Sequence, residues 1–193
     1  SMRDVMQPGP LPERSLGRAD APVTVIKYAS LTCPYCRKFH LETFPLLKKR
    51  YIDTGQMRFI LREFPIGFQS GAATIAMRCV PAQHYFDAYG ALLKAQARWV
   101  SQEVRREPIW QVVRQFGLTR AQFDACYDDK KLVADLNAVK ERGRTLGVIG
   151  TPNFFIGNKL HKRVLTMTDF DAAMSGAGFA GASASSLPTN GQR

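Results

Sequence analysis

Two cysteines flank Pro34-Tyr35 in the stretch "SLTCPYC", residues 30–36, directly after the apolar run "PVTVIKYA". Thiols three positions apart can hold half of a metal site, staple the chain, or exchange electrons. The β-branched run reads as a buried strand, and Pro34 suits the first turn of a helix. Cys33 therefore falls at a helix N-terminus, where unpaired backbone N–H groups and the positive end of the macrodipole favour a thiolate. That makes Cys33 the nucleophile, with a pKa expected in the range of about 3.5–7.5 against about 8.5 for a free thiol. Cys36, one turn further in, becomes the buried resolving thiol. A thiol of lowered pKa is also a good leaving group, so the disulfide form of such a pair is oxidising.

The two competing readings are weaker. A two-residue spacer closes a very small loop, which constrains the unfolded chain little and makes a poor staple. A metal site needs more donors. Cys36 and His40 share a helical face, but there is no second CxxC, and His40, His84 and His161 make no zinc-finger spacing. A binding module using Cys33, Cys36 and His40 stays as the non-enzymatic alternative, with no metal expected in the leading reading.

A second chemical signal is "GVIGTPNFFIG", residues 147–157. Gly150-Thr151-Pro152 precedes an apolar strand, where a CxxC domain needs a loop for docking peptide. A cis Thr151–Pro152 bond would set the proline ring against the cysteines and leave the Thr151 backbone free to pair with an extended substrate. Pro34, Tyr35, Thr151 and Pro152 are thus the expected substrate-contacting residues.

The elements that must position these groups follow from the pattern. Pro8, Pro10 and Pro12 mark residues 1–12 as an extended arm, and "ERSLG" suits a short edge strand. A helix is expected from Cys33 to near Asp53, kinked at Pro45 where a backbone donor is missing. "QMRFILREFP" completes a βαβ unit, for which the right-handed crossover is expected. From Ser70 to about Gly147 the chain is helical, punctuated at Pro81, Pro108, Gly117 and Gly147. "NFFIGNKL" then suits a hairpin turning at Gly157-Asn158, and a last helix follows with Thr168 or Asp169 as its cap. The small, polar tail reads as frayed or disordered. The result is an α/β domain made of residues 13–66 and 148–177, interrupted by an all-helical insertion at 67–147, with extended or disordered ends at 1–12 and 178–193.

With 193 residues, 45% hydrophobic and 22% charged, the chain can bury a real core. No apolar run approaches the roughly 18–20 residues of a membrane helix. "SMRDVMQPGP" lacks an apolar h-region and its Ser-Met start reads as an expression scar, so the lack of a visible signal peptide is uninformative. The net charge of +11 is scattered; its densest group, Lys48, Lys49 and Arg50, closes an amphipathic helix, so no nucleic-acid partner is expected.

"APVTVIKYASLTCPYCRKFH", "LREFP" and "GTPNFFI", in that order, make the chain similar to the DsbA-like thioredoxin-fold proteins of alphaproteobacterial type, over roughly residues 13–175. The resemblance implies a thioredoxin fold carrying an inserted all-helical domain, and a periplasmic thiol–disulfide oxidoreductase that needs no cofactor. It assigns Cys33 as nucleophile, Cys36 as its partner and Thr151-Pro152 as the cis-proline loop. The expected activity is dithiol oxidation, which introduces disulfides into unfolded or reduced client proteins. A quinone-linked membrane partner would reoxidise the chain, which is expected to be a monomer. Tyr35, Ile66 and Phe68 could contact unfolded clients. A disulfide isomerase or reductase is the alternative, since CPYC with Thr-cis-Pro also resembles disulfide isomerases, although those carry a dimerisation domain for which this chain has no room.

One departure stands out. Six residues before Cys33, where these relatives typically carry a buried carboxylate, this sequence has Lys27. Glu63 could face it from the neighbouring strand, so a Lys27–Glu63 pair is expected beneath the cysteines, relaying protons to Cys36; otherwise Lys27 reaches the surface. Cys79 and Cys126 lie on helices of the insertion. In an oxidising compartment a disulfide between them could contribute about 3–5 kcal/mol; the alternative is two buried free thiols.

Overall fold

The structure, a computed structural model, describes residues 1–176; the tail predicted to be disordered lies outside the described residues. Five strands form one mixed sheet: β1 (Arg14–Leu16), β2 (Val23–Ala29), β3 (Met57–Glu63), β4 (Asn153–Ile156) and β5 (Lys159–His161). Their order is β1-β3-β2-β4-β5, with β2 and β3 parallel and the remaining pairs antiparallel. Strand, helix, strand and later hairpin give the thioredoxin fold expected from the sequence.

The two central strands are apolar on both faces because helices cover both. On one face Val23, Val25, Phe59 and Phe154 pack with Phe39, Phe44, Leu47 and Phe170. On the other, Ile26, Tyr28, Ile60 and Phe155 pack with Phe64 and Val148. Lys27 sits in the strand at a position whose register partners are Leu61 and Phe154.

The helices are α1 (Met2–Met6), α2 (Pro34–Lys38), α3 (Phe44–Leu47), α4 (Phe68–Cys79), α5 (Tyr85–Lys94), α6 (Gln96–Trp99), α7 (Arg106–Val113), α8 (Arg120–Cys126), α9 (Lys130–Thr145) and α10 (Met167–Gly176). Helices α4 to α9 fall between β3 and β4, and α4 to α8 form their own core of Ala73, Met77, Leu92, Trp99, Ile109, Val113 and Phe123. This core reaches the sheet through Ala29, Leu31 and Leu61 and includes Cys36. Gly143 lets α9 press against the sheet, since a Cβ there would lie 2.8 Å from the Tyr28 ring.

Three expectations need correction. The start of the chain is not wholly extended: Ser1 and Asp4 form a capping box that starts α1, and Val5 is buried beneath the sheet. The helix expected from Cys33 to near Asp53 is not uniformly α-helical: π-helical turns at Phe39–Thr43 and Lys48–Ile52 lie on either side of α3, which holds Pro45. Pro45 cannot donate to the carbonyl one turn back, and the widened turn before it takes up the lost bond. The cap of α10 is Thr166 rather than Thr168 or Asp169: its hydroxyl accepts from the Asp169 N–H at 3.3 Å, and Asp169 in turn accepts from the Thr166 N–H at 2.8 Å.

Candidate functional site

Cys33 is the N-cap of α2 and leaves β2 through the tight link Ser30–Thr32. Its own N–H donates to the Ser30 carbonyl at 3.1 Å, and its carbonyl accepts from the Arg37 N–H at 3.2 Å. Gln96 on α6 clamps the link from the side, with Nε2 donating to the carbonyls of Leu31 (2.8 Å) and Cys33 (3.0 Å). Ser30 Oγ meets Ser70 Oγ at 2.8 Å and accepts from the Ile66 N–H at 3.2 Å, so the loop after β3 is tied to the same place.

The cysteines are both free thiols, Cys33 partly exposed and Cys36 buried. The Cys36 N–H donates to Cys33 Sγ at 3.4 Å, and the Cys33 thiol can donate to the Thr151 carbonyl, also at 3.4 Å. Cys33 is held down from 9.0 to about 5, chiefly by the hydrogen bond from the Cys36 thiol. Thr151 and the N–H groups of Cys36 and Tyr35 add to this, while burial opposes it. Cys36 moves the opposite way: burial raises it well above 9.0 and the shared hydrogen bond adds to that, while the charge on Lys27 pulls it down. One thiol is thus poised to ionise at neutral pH and its neighbour to keep its proton.

The Thr151–Pro152 peptide is cis. Pro152 is buried and Thr151 partly so. Asn153 steadies the loop: its Oδ1 accepts from the Ile149 N–H at 3.2 Å and its Nδ2 donates to the Pro152 carbonyl at 3.1 Å. The segments that flank the cysteine and cis-proline loops carry an exposed apolar rim: Tyr35 (60% exposed), Ile66, Phe68 (84%) and Ile149 (74%). Thr32 Oγ1 donates to the Ile66 carbonyl at 3.4 Å, which fixes that part of the rim to the cysteine loop.

The structure does not bring Lys27 and Glu63 together. Lys27 is 1% exposed, so it does not reach the surface either. Its Nζ donates to the Tyr89 hydroxyl at 2.9 Å and lies 4.6 Å from the centre of the Phe39 ring. Glu63 instead pairs with Arg78 at 2.7 Å and accepts from the Tyr85 hydroxyl at 2.6 Å. The two residues share a face of the parallel pair but not a level: Lys27 lies opposite Leu61, and Glu63 lies opposite Ala29, two residues further on. Each therefore takes its partner from the inserted helices. Tyr89 and Gln96, unnoticed in the sequence, sit in helical stretches whose composition gives no sign of their target.

His40 is partly buried, stacked on Phe44 and edge-on to Tyr89. Burial first, then the charges of Lys27 and Lys94, hold it down to about 3. Among the described residues no group of three or more His, Cys, Asp or Glu lies together so as to hold a metal ion, so the set Cys33, Cys36 and His40 is not assembled as a metal site. Cys79 and Cys126, remote in sequence by 47 residues, are joined by a disulfide between α4 and α8.

A family model described as "Thioredoxin" matches residues 11–175. A Rickettsia bellii relative named as a protein-disulfide oxidoreductase is 33% identical over 146 residues, covering 73% of this chain and 55% of that protein. The chain thus spans about half the length of that relative. A Bacillus anthracis protein named for disulfide bond formation (protein D) is 26% identical over 156 residues, covering 77% of this chain and 71% of its own length. Among solved structures, Wolbachia pipientis alpha-DsbA1 superposes with a TM-score of 0.81 at 28% identity, over 91% of this chain and 94% of that one.

Proposed function

The chain belongs to the thioredoxin family, in its DsbA-like branch, and on that premise we propose that it is a dithiol oxidase acting on reduced client proteins in the periplasm. The observation that carries this reading is the opposed tuning of the two thiols, Cys33 down to about 5 and Cys36 up. A client thiolate attacks Cys33 Sγ of the disulfide form; the client–Cys33 bond forms, the Cys33–Cys36 bond breaks, and the electron pair leaves on Cys36. The client's second thiolate then attacks its own sulfur in the mixed disulfide and expels Cys33 as a thiolate. Two electrons have passed from client to enzyme, and the easily expelled Cys33 thiolate makes the second step run forward.

In this scheme the Thr151 backbone pairs with the extended client beside Pro34 and Pro152, and Tyr35, Ile66, Phe68 and Ile149 supply apolar contact to unfolded chain without sequence preference. The electrons then leave to a quinone-linked membrane partner. Among the described residues no helix is long and apolar enough to cross a bilayer.

The test is the redox equilibrium of Cys33/Cys36 against glutathione, together with oxidation of a reduced dithiol peptide. A potential well above about −270 mV, thioredoxin's, with rapid peptide oxidation is the expected result. A potential near thioredoxin's would overturn the oxidase reading in favour of a reductant, and faster rescue of scrambled ribonuclease than peptide oxidation would make the chain an isomerase.

A further inference from the structure

In the oxidase reaction just proposed, the first step must place an electron pair on Cys36, a side chain with no exposed surface. A bare thiolate in that position is costly, so something buried must neutralise it as the bond breaks. Among the described residues, the groups that face the site are few. From β2 comes Lys27; from α2, Cys36, with Cys33 at its N-cap; from the turn after it, His40; from α5, Tyr89, and Lys94, whose charge acts on His40. The flanking strand positions are the apolar Leu61 and Phe154. No carboxylate belongs to this described set, because Glu63 is held by Arg78 and Tyr85.

We propose that the Lys27 ammonium is the proton source for the departing Cys36 thiolate, and that Tyr89 is the residue that positions it. The reaction balances: the Cys33–Cys36 bond breaks, the pair goes to Cys36 Sγ, and a proton from Nζ gives a Cys36 thiol and a neutral Lys27 amine. Solvent returns the proton to Lys27 before the next turnover. In reverse, the neutral amine takes the Cys36 proton and frees that sulfur to resolve a mixed disulfide.

The placement supports both roles: Cys36 and Tyr89 belong to one buried cluster, and Lys27 is hydrogen-bonded to that same tyrosine. Lys27 Nζ lies 4.6 Å above the Phe39 ring and 5.1 Å from the centre of the Tyr89 ring, which hold a cation without a counter-charge. The Tyr89 hydroxyl takes one of its three protons at 2.9 Å and so fixes the direction of the others. Burial lowers Lys27 to about 8, with the charges of Cys36 and then Cys33 acting against the fall. Cys36 lies well above 9.0, so the proton moves downhill to sulfur. None of these neighbours competes: His40 is down at about 3, and burial keeps the Tyr89 phenol protonated far past neutrality.

In the disulfide form the Cys33 thiolate charge that helps raise Lys27 is gone, so its titration falls below pH 8. Stopped-flow reduction of the disulfide form by dithiothreitol from pH 6 to 10, with rates divided by the dithiothreitol thiolate fraction, reads this directly. Wild type should show a flat rate at low pH that falls as Lys27 loses its proton, with the break below pH 8. In Lys27→Met the break should vanish and the low-pH rate drop by about tenfold or more, against general-acid contributions of about 10²–10⁴. Tyr89→Phe keeps the ring and removes only the acceptor, so it should keep a break but move it to lower pH by at least about half a unit, a shift that a packing role would not produce. A break that persists in Lys27→Met, or a low-pH rate equal to wild type, overturns the proton source. An unmoved break in Tyr89→Phe overturns the positioning role. Failure of wild type to oxidise any dithiol would instead overturn the oxidase reading, so the two failures are distinguishable.

Discussion

Replacing Cys36 by alanine removes the strongest of the contacts that hold Cys33 ionised, and leaves the others in place. The fall from 9.0 to about 5 amounts to about 5 kcal/mol of preference for the thiolate, at about 1.4 kcal/mol per pKa unit. Cys33 is only half-buried, so solvent on its open side trims that figure. The Cys36 thiol is its first cause, ahead of Thr151 and the N–H groups of Cys36 and Tyr35. A hydrogen bond to a charged acceptor contributes about 1.5–3 kcal/mol, so its loss should return Cys33 by about one to two units, to about 6–7. The remaining depression belongs to the Cys36 and Tyr35 amides at the helix N-terminus and to Thr151, all of which survive the substitution. The assay is thiolate absorbance in the far ultraviolet across the acid-to-alkaline range in Cys36→Ala, checked by the pH dependence of iodoacetamide alkylation at Cys33. A midpoint still at about 5 would show that the helix alone sets the thiolate, and one at about 8.5 or above would show that it sets none of it. Either result refutes the division of the effect made above. The sign for stability follows from the direction: a depressed folded pKa stabilises the folded dithiol form fully above the unfolded thiol's value, and that stabilisation is lost as pH falls through about 5.

Three further outcomes are expected. Between about pH 5.5 and 7 the reduction potential should change by about 30 mV per pH unit, not about 59, because reduction then takes up one proton for two electrons while Cys33 stays ionised; a glutathione titration at several pH values showing about 59 mV per unit would contradict this. Glu63→Gln leaves the Arg78 guanidinium buried without its counter-charge and should cost about 3–5 kcal/mol in urea unfolding, while Cys33 still titrates at about 5; a moved Cys33 midpoint would mean that Glu63 belongs to the redox site after all. Cys79→Ser with Cys126→Ser opens a link across 47 residues and should lower stability by about 4 kcal/mol in the loop-entropy account, with peptide oxidation at permissive temperature unchanged; a loss under about 1 kcal/mol would assign the bridge no structural weight.

The parts of this protein legible in the sequence are those set by neighbours in the chain. A β-branched run, a short link and Pro34 place Cys33 at a helix start without help from the rest of the molecule. The strand after Pro152 and the hairpin at Gly157 are likewise local. Contacts across the insertion were not legible. Lys27 and Tyr89 are 62 residues apart, Gln96 and Leu31 65, and nothing in the periodicity of α5 or α6 says which buried polar group each will meet. Pairing Lys27 with Glu63 was the natural guess for charges on adjacent strands, and it fails because register and the inserted helices offer each a nearer partner. Residues 1–12 mislead in another way: their prolines argue for an extended chain, yet the capping box at Ser1 and the burial of Val5 turn the start of the chain into a helix. The Arg62 guanidinium, donating to the Val5 carbonyl at 2.8 Å, ties that helix to β3.

The inserted helices thus do more than enlarge the core. The sheet and α2 are enough to bring Cys33, Cys36 and Pro152 together, and the helix terminus is enough to bias Cys33 towards a thiolate. β2 also carries Lys27, the proposed proton source for the buried partner sulfur, but the local unit does not supply the group that holds it. α5 brings Tyr89 to Lys27, α6 clamps the cysteine loop through Gln96, and α4 and α5 draw Glu63 away to Arg78 and Tyr85. Left near the dithiol, the Glu63 carboxylate would hold the Lys27 proton and raise the cost of a second negative charge on Cys36. Removing it to a separate ion pair leaves Lys27 as the cation in the field of the reacting sulfurs, opposed only by burial. The positive polarity of the site is therefore a property of the inserted helices and β2 together. Exchanging that one side chain for an acid, in Lys27→Glu, should set the new carboxylate and the Cys36 thiolate, two like charges, in one dry site.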